Sequence, residues 1–219
     1  MSDDGSQEKN GLALVRAAAK GDDRSDNSDS DVSEDSDDGS QERNDLAMVR
    51  AADDGDARKM EELLSVGANV STSWKGLTAL TIAAEKGHLE VCKLLLSKGA
   101  SVSKSEDGWS PLMVAAQEGH TEVCKLLLET GKANIEEITR KGNTALNLAA
   151  SKGFARTVEL LLSKGARVDS KDYQRYTALL LAAEKGHTEV CELLLANGSD
   201  PEERHSGHFQ LWKVTTDDV

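Results

Sequence analysis

Apolar positions along this chain recur as a block. The runs AAEKGHLEVCKLLLSKGASV at 83–102 and AAQEGHTEVCKLLLETGKANI at 115–135 each place an alanine pair, a glycine and three leucines in the same order. AASKGFARTVELLLSKGARV at 149–168 and AAEKGHTEVCELLLANGSDP at 182–201 do the same. A weaker copy, AADDGDARKMEELLSVGANV, occupies 51–70. The anchoring glycines Gly55, Gly87, Gly119, Gly153 and Gly186 stand 32, 32, 34 and 33 residues apart. A fixed period of this size marks a repeat array, and each copy predicts two short helices joined at the glycine.

The boundaries of those helices follow from side-chain chemistry. Thr78, Ser110, Thr144 and Thr177 sit where the first helix begins, and a hydroxyl there accepts from the orphan N–H groups of the first turn. Pro111 follows Ser110 at the first helical position, where a missing donor costs nothing. The pairs Ala83–Ala84, Ala115–Ala116, Ala149–Ala150 and Ala182–Ala183 keep helices close, and the glycine after each pair ends helix one. Glu90, Glu122 and Glu189 lie in the first turn of helix two, which favours an acid. The leucine triplets pack helix two, Gly67, Gly99, Gly165 and Gly198 close it, and a hairpin leads into the next copy. One helix pair cannot bury its own apolar face, so the copies must stack.

These residues resemble the ankyrin repeat, whose 33-residue period carries G-x-T-P-L-x-x-A-A-x-x-G-H-x-E-V-V-x-L-L-L-x-x-G-A. The resemblance covers about 46–201 in five copies. It implies an all-α solenoid of stacked helix-turn-helix repeats with short β-hairpin projections. The expected repeats are 45–74, 75–106, 107–140, 141–173 and 174–201, following a tail over 1–44. Repeat one starts at Asn44-Asp45-Leu46 without the hairpin and reads as an N-terminal cap. At the other end, 202–219 is a tail or a truncated sixth repeat. Phe209, Leu211 and Trp212 cover the open end of the stack, or the chain is a piece of a longer array. The family's histidine in T-P-L-H is replaced by Thr81, Met113, Asn147 and Leu180, which removes one stitch between adjacent hairpins.

Composition adds a second region. Apolar residues make up 38 %, below the roughly 45–50 % usual for soluble domains. The net charge of the 219 residues is −13. Residues 1–45 hold 14 acids and 5 bases, a net of −9. Residues 19–44 are rich in Asp and Ser with Ala19 and Val32 their only apolar side chains, a composition expected to be disordered. Ser25, Ser28, Ser30, Ser33 and Ser36 each precede an acid and are candidate phosphorylation sites for an acidophilic kinase of the casein kinase 2 type. DDGSQEKNGLALVRAA at 3–18 repeats DDGSQERNDLAMVRAA at 37–52 at 13 of 16 positions. The first copy reads as a duplicated, frayed segment, or as a helix over Leu12–Ala19 that docks like the cap helix or competes with it.

Charge and length exclude several functions. A polyanion does not seek phosphate backbones, so no nucleic-acid partner is expected. The longest uncharged apolar stretches, such as LTALTIAA at 77–84, fall far short of the ~20 residues of a membrane helix. The start MSDDGSQ lacks the basic and apolar segments of a signal peptide. With three unpaired cysteines, Cys92, Cys124 and Cys191, this predicts a reducing compartment, cytoplasmic or nuclear. His88 with Cys92, His120 with Cys124 and His187 with Cys191 have a spacing that chelates metals, but the repeat explains each residue, so no metal, cofactor or catalytic group is expected.

The resemblance implies binding of a partner protein, by a monomer, through the concave groove and the hairpin tips. At or beside the tips the register places the aromatics Trp74, Trp109, Tyr173 and Tyr176, expected to face solvent as anchors. Lys75, Leu77, Glu106, Asp107, Arg140, Lys141, Asn143 and Gln174 accompany them. The first helices contribute Glu85, Lys86, Gln117, Glu118, Ser151, Lys152, Glu184 and Lys185. Repeat four is locally basic at Arg140, Lys141 and Lys152. The function read from this is a non-catalytic adaptor, scaffold or competitive regulator. The alternative places function in the tail, an acidic arm for basic proteins such as histones, with the repeats as its scaffold. A carboxy-terminal Val219 also matches the end of a PDZ ligand.

Overall fold

Four of the five repeats begin their first helix on a hydroxyl. Thr78, Ser110, Thr144 and Thr177 have extended backbones, and their side chains accept from the N–H groups of Thr81, Met113, Asn147 and Leu180. The helices that follow are only seven or eight residues long and are buried almost all round. The second helices are amphipathic. Those of repeats two to five each bury an i, i+1, i+4 set such as Val123, Cys124 and Leu127, and that of repeat one buries Met60 and Leu63.

The computed structural model describes residues 38–74, 76–105 and 108–201, in two compact units, Met1–Asp107 and Gly108–Val219. The first unit holds α1 (Asp38–Asp54), α2 (Ala57–Ser65), β1 (Ser73–Trp74), β2 (Leu77–Thr78), α3 (Ala79–Lys86) and α4 (Leu89–Ser97). Within it α1 packs on α3 and α2 on α4. The second unit holds α5 (Pro111–Gln117), α6 (Thr121–Glu129), α7 (Ala145–Lys152), α8 (Ala155–Ser163), α9 (Ala178–Glu184) and α10 (Thr188–Ala196). There α7 lies between α5 and α9, and α8 between α6 and α10. The ten described helices form five pairs, an all-α repeat solenoid with almost no strand.

Two expectations change. Helix α1 begins at Asp38, so residues 38–44 are helical rather than part of a disordered tail. Only one hairpin among the described residues forms a ladder, pairing Ser73 with Thr78 and Trp74 with Leu77. The projections at 139–143 and 172–176 are tight turns closed on a side chain at their base. Thr139 Oγ1 accepts from the N–H groups of Lys141 and Asn143, both at 3.2 Å. Asp172 Oδ1 accepts from those of Gln174 (2.9 Å) and Tyr176 (2.8 Å). A polar side chain at the base supplies the bonds that a longer ladder would make.

Neighbouring repeats are tied by specific contacts. In the first unit His88 Nε2–H donates to the Asp53 carbonyl (3.0 Å), and Lys86 pairs with Asp53 at 3.1 Å. In the second, His187 Nε2–H donates to the Ser151 carbonyl (3.3 Å), and the Thr121 and Thr157 hydroxyls share a 2.8 Å bond. His88 and His187 are therefore inter-repeat struts. Gly153 has φ +79°, and a Cβ there would lie 2.6 Å from the His187 ring. The stitch missing from T-P-L-H is partly replaced at Asn147, whose buried side chain donates to the Ser170 carbonyl (3.3 Å). Glu136 clamps the same loop, accepting from Arg167 N–H (2.8 Å) and Ser170 Oγ–H (3.1 Å).

Candidate functional site

The turns of the second unit build one another. Tyr173 N–H donates to the Lys141 carbonyl (3.0 Å), joining the 172–176 turn to the 139–143 turn. The Tyr173 ring lies on Gly142, where an added Cβ would stand 2.8 Å from both the ring and the Tyr173 nitrogen. One position along the same register, the Arg140 side chain lies over Gly108. Gly108 and Gly142 are thus each the platform for a side chain of the next turn. Tyr173 nevertheless keeps 70 % of its surface exposed. An aromatic seated on one face and open on the other is a ready contact residue.

The expected site residues fall into three groups. Arg140, Lys141, Tyr173 and Gln174 are exposed on the two joined turns, with Asn143 and Tyr176 half-buried beside them. Along the first helices of the same unit Glu118, Lys152, Glu184 and Lys185 are exposed and Gln117 and Ser151 half-buried. The Gln117 amide donates to Glu118 at 3.2 Å. In the first unit Glu85 and Lys86 are half-buried, Lys86 in its ion pair with Asp53.

Leu77 and Trp109 correct the sequence reading. They are 1 % and 7 % exposed and belong to the core, not to a binding surface. Each directly precedes the hydroxyl cap of a first helix, where an apolar side chain packs over the first turn as a hydrophobic staple. Ile82 and Val114, the partner positions four residues into those helices, are buried as well. The apolar pairs Leu77 with Ile82 and Trp109 with Val114 are the signal that marks them as structural.

Lys75, Glu106 and Asp107, and the Trp74 side chain, lie outside the described residues. So do the serines from Ser25 to Ser36, the 3–18 duplicate, and Phe209, Leu211, Trp212 and Val219. Two exposed cations on or directly beside the joined turns were not anticipated, Arg175 and Lys171. Arg175 has φ +66° and occupies the register position that is Gly76, Gly108 and Gly142 in the other repeats. That break in the glycine period is visible in the sequence.

The cysteines are inert packing groups. Burial pushes the Cys92 and Cys124 thiols up to about 12 and raises Cys191 as well, with Glu192 adding to the last. No three His, Cys, Asp or Glu side chains gather to hold a metal among the described residues. No described helix is long and apolar enough to cross a membrane.

A family profile described as Ankyrin repeats (3 copies) matches residues 47–139 and 131–205, and the chain belongs to the ankyrin repeat family. No curated protein matches it. Ankyrin repeats generally mediate protein–protein interaction and are generally not enzymes.

Proposed function

We propose that this chain is a non-catalytic adaptor or scaffold that holds a partner protein on the joined turns of its second unit and the adjoining first-helix surface. The observation that carries this reading is Tyr173. It is 70 % exposed, yet seated on Gly142 and tied through its backbone to Lys141. An anchor held in place before binding loses little side-chain entropy on binding. Three buried free thiols suit a reducing compartment, cytosol or nucleus.

The test is affinity capture with the full chain and its Tyr173→Ala variant, at low and high salt. Partners captured by the parent and lost with the variant support the turns as the binding element. Capture that survives Tyr173→Ala but disappears on deleting 1–37 gives the function to the acidic segment instead. Trp109 is unsuitable for such a test, because truncating a buried Trp costs about 3–5 kcal/mol of stability.

A further inference from the structure

The two joined turns carry a charge opposite to that of the chain. Arg140, Lys141 and Arg175 are exposed on them and Lys171 directly beside them, in a protein of net charge −13. Among the described residues of 139–143 and 171–176 the one carboxylate, Asp172, is turned to the backbone, accepting from Gln174 and Tyr176 N–H. Exposed Tyr173 lies between Lys171 and Arg175 in the chain, on the turn bonded to Lys141. Arg175 adds an independent observation. It holds a left-handed backbone that a glycine would adopt without cost, at the register position where three other repeats have glycine. A strained residue kept at an exposed turn points to a use for its side chain.

We infer that these turns recognise an acidic, extended protein segment, with Tyr173 stacking on an apolar side chain between carboxylates that pair with Arg140, Lys141, Lys171 and Arg175. The inference rests on the reading of the turns as the partner-binding element and names the chemistry of the partner. A peptide fits better than a nucleic acid. The basic surface spans only two turns, and the negative charge of the rest of the chain repels a long polyanion. Exposed single pairs contribute little, so binding depends on the four cations together and weakens with salt.

The test uses the full chain and fluorescence anisotropy with a labelled twelve-residue peptide of repeating Asp-Glu-Leu units. The expected result is saturable binding that weakens at least about tenfold between low and high salt. An Asn-Gln-Leu peptide and an oligothymidylate of matched charge should bind at least about tenfold more weakly. Reversing all four cations (R140E, K141E, K171E, R175E) should weaken binding at least about thirtyfold with the helical signal unchanged. Should that variant fold poorly, Arg175→Gly decides: it should raise the melting temperature while weakening peptide binding about threefold, opposite signs that a structural residue would not give. Equal binding of the neutral peptide or the oligonucleotide overturns the inference, as does indifference to charge reversal. Peptide binding that appears only after deletion of 1–37 overturns an external partner and gives the surface to the chain's own acidic segment. Salt-resistant partners that are lost with Tyr173→Ala but retained by the charge-reversed chain leave the turns as the binding element and overturn only the acidic partner.

Discussion

At the scale of single residues, two positions with positive φ carry opposite predictions. Arg175 sits at φ +66° without being glycine. A left-handed backbone costs a residue bearing a Cβ about 1–2 kcal/mol, and glycine's greater unfolded entropy returns about 0.5–1 of that. Arg175→Gly should therefore stabilise the protein by roughly 0.5–1 kcal/mol, seen as a rise of about 1–4 °C in melting temperature. An unchanged or lower Tm would show that the arginine makes a compensating contact. Gly153 is the reverse case. Its φ of +79° disfavours any other residue, and a Cβ would stand 2.6 Å from His187, the ring that donates to Ser151. Gly153→Ala should cost about 2–4 kcal/mol by denaturant unfolding, since both strain and a steric clash operate. The double variant Gly153→Ala with His187→Ala should recover the steric part only, as a double-mutant cycle resolves.

At the scale of elements, the first helices are short, and their start depends on one side chain. Thr144 is buried, and its hydroxyl accepts from Asn147 N–H at 3.3 Å. Thr144→Val keeps the shape and removes that acceptor, so it should cost about 1–2 kcal/mol, measured by urea denaturation. These caps were legible in the sequence because a hydroxyl directly before an apolar helix has one local purpose. The pairing of helices was legible for a similar reason, since the glycine period and leucine triplets admit one architecture. Helix α1 was not read back to Asp38, because Asp38 to Asn44 is polar and shows no apolar face. The turns at 139–143 and 172–176 were expected as ladders, but a buried Thr139 or an Asp172 carboxylate closes them with side-chain bonds that no hydrophobic pattern records. Trp109 misled because aromatics near a turn suggest a contact surface, whereas the structure buries it directly before the Ser110 cap of α5.

At the scale of the whole molecule, the same packing that made the site hard to read makes the core sensitive to alkali. A binding surface is set by which side of a turn faces solvent, and the sequence carries no period for that. The core does carry one: cysteine replaces the interior valine of helix two in three repeats, Cys92 in the first unit and Cys124 and Cys191 in the second. Burial holds Cys92 and Cys124 neutral up to about 12, against an ordinary value of 9.0. The unfolded chain ionises its thiols near 9 while the folded chain does not, so the unfolded state binds fewer protons above that pH and stability falls as pH rises. The contribution is intact below about pH 9 and is lost across the window up to about 12. Replacing all three cysteines by alanine should lower the melting temperature near neutrality through lost packing, yet flatten its decline between pH 9 and 11 relative to the parent. Parallel declines in the two proteins would assign the alkaline loss to other groups. Thiol labelling supplies the site-resolved check: the native protein should resist modification at Cys92 and Cys124, with Cys191, 7 % exposed where the other two are fully buried, reacting first.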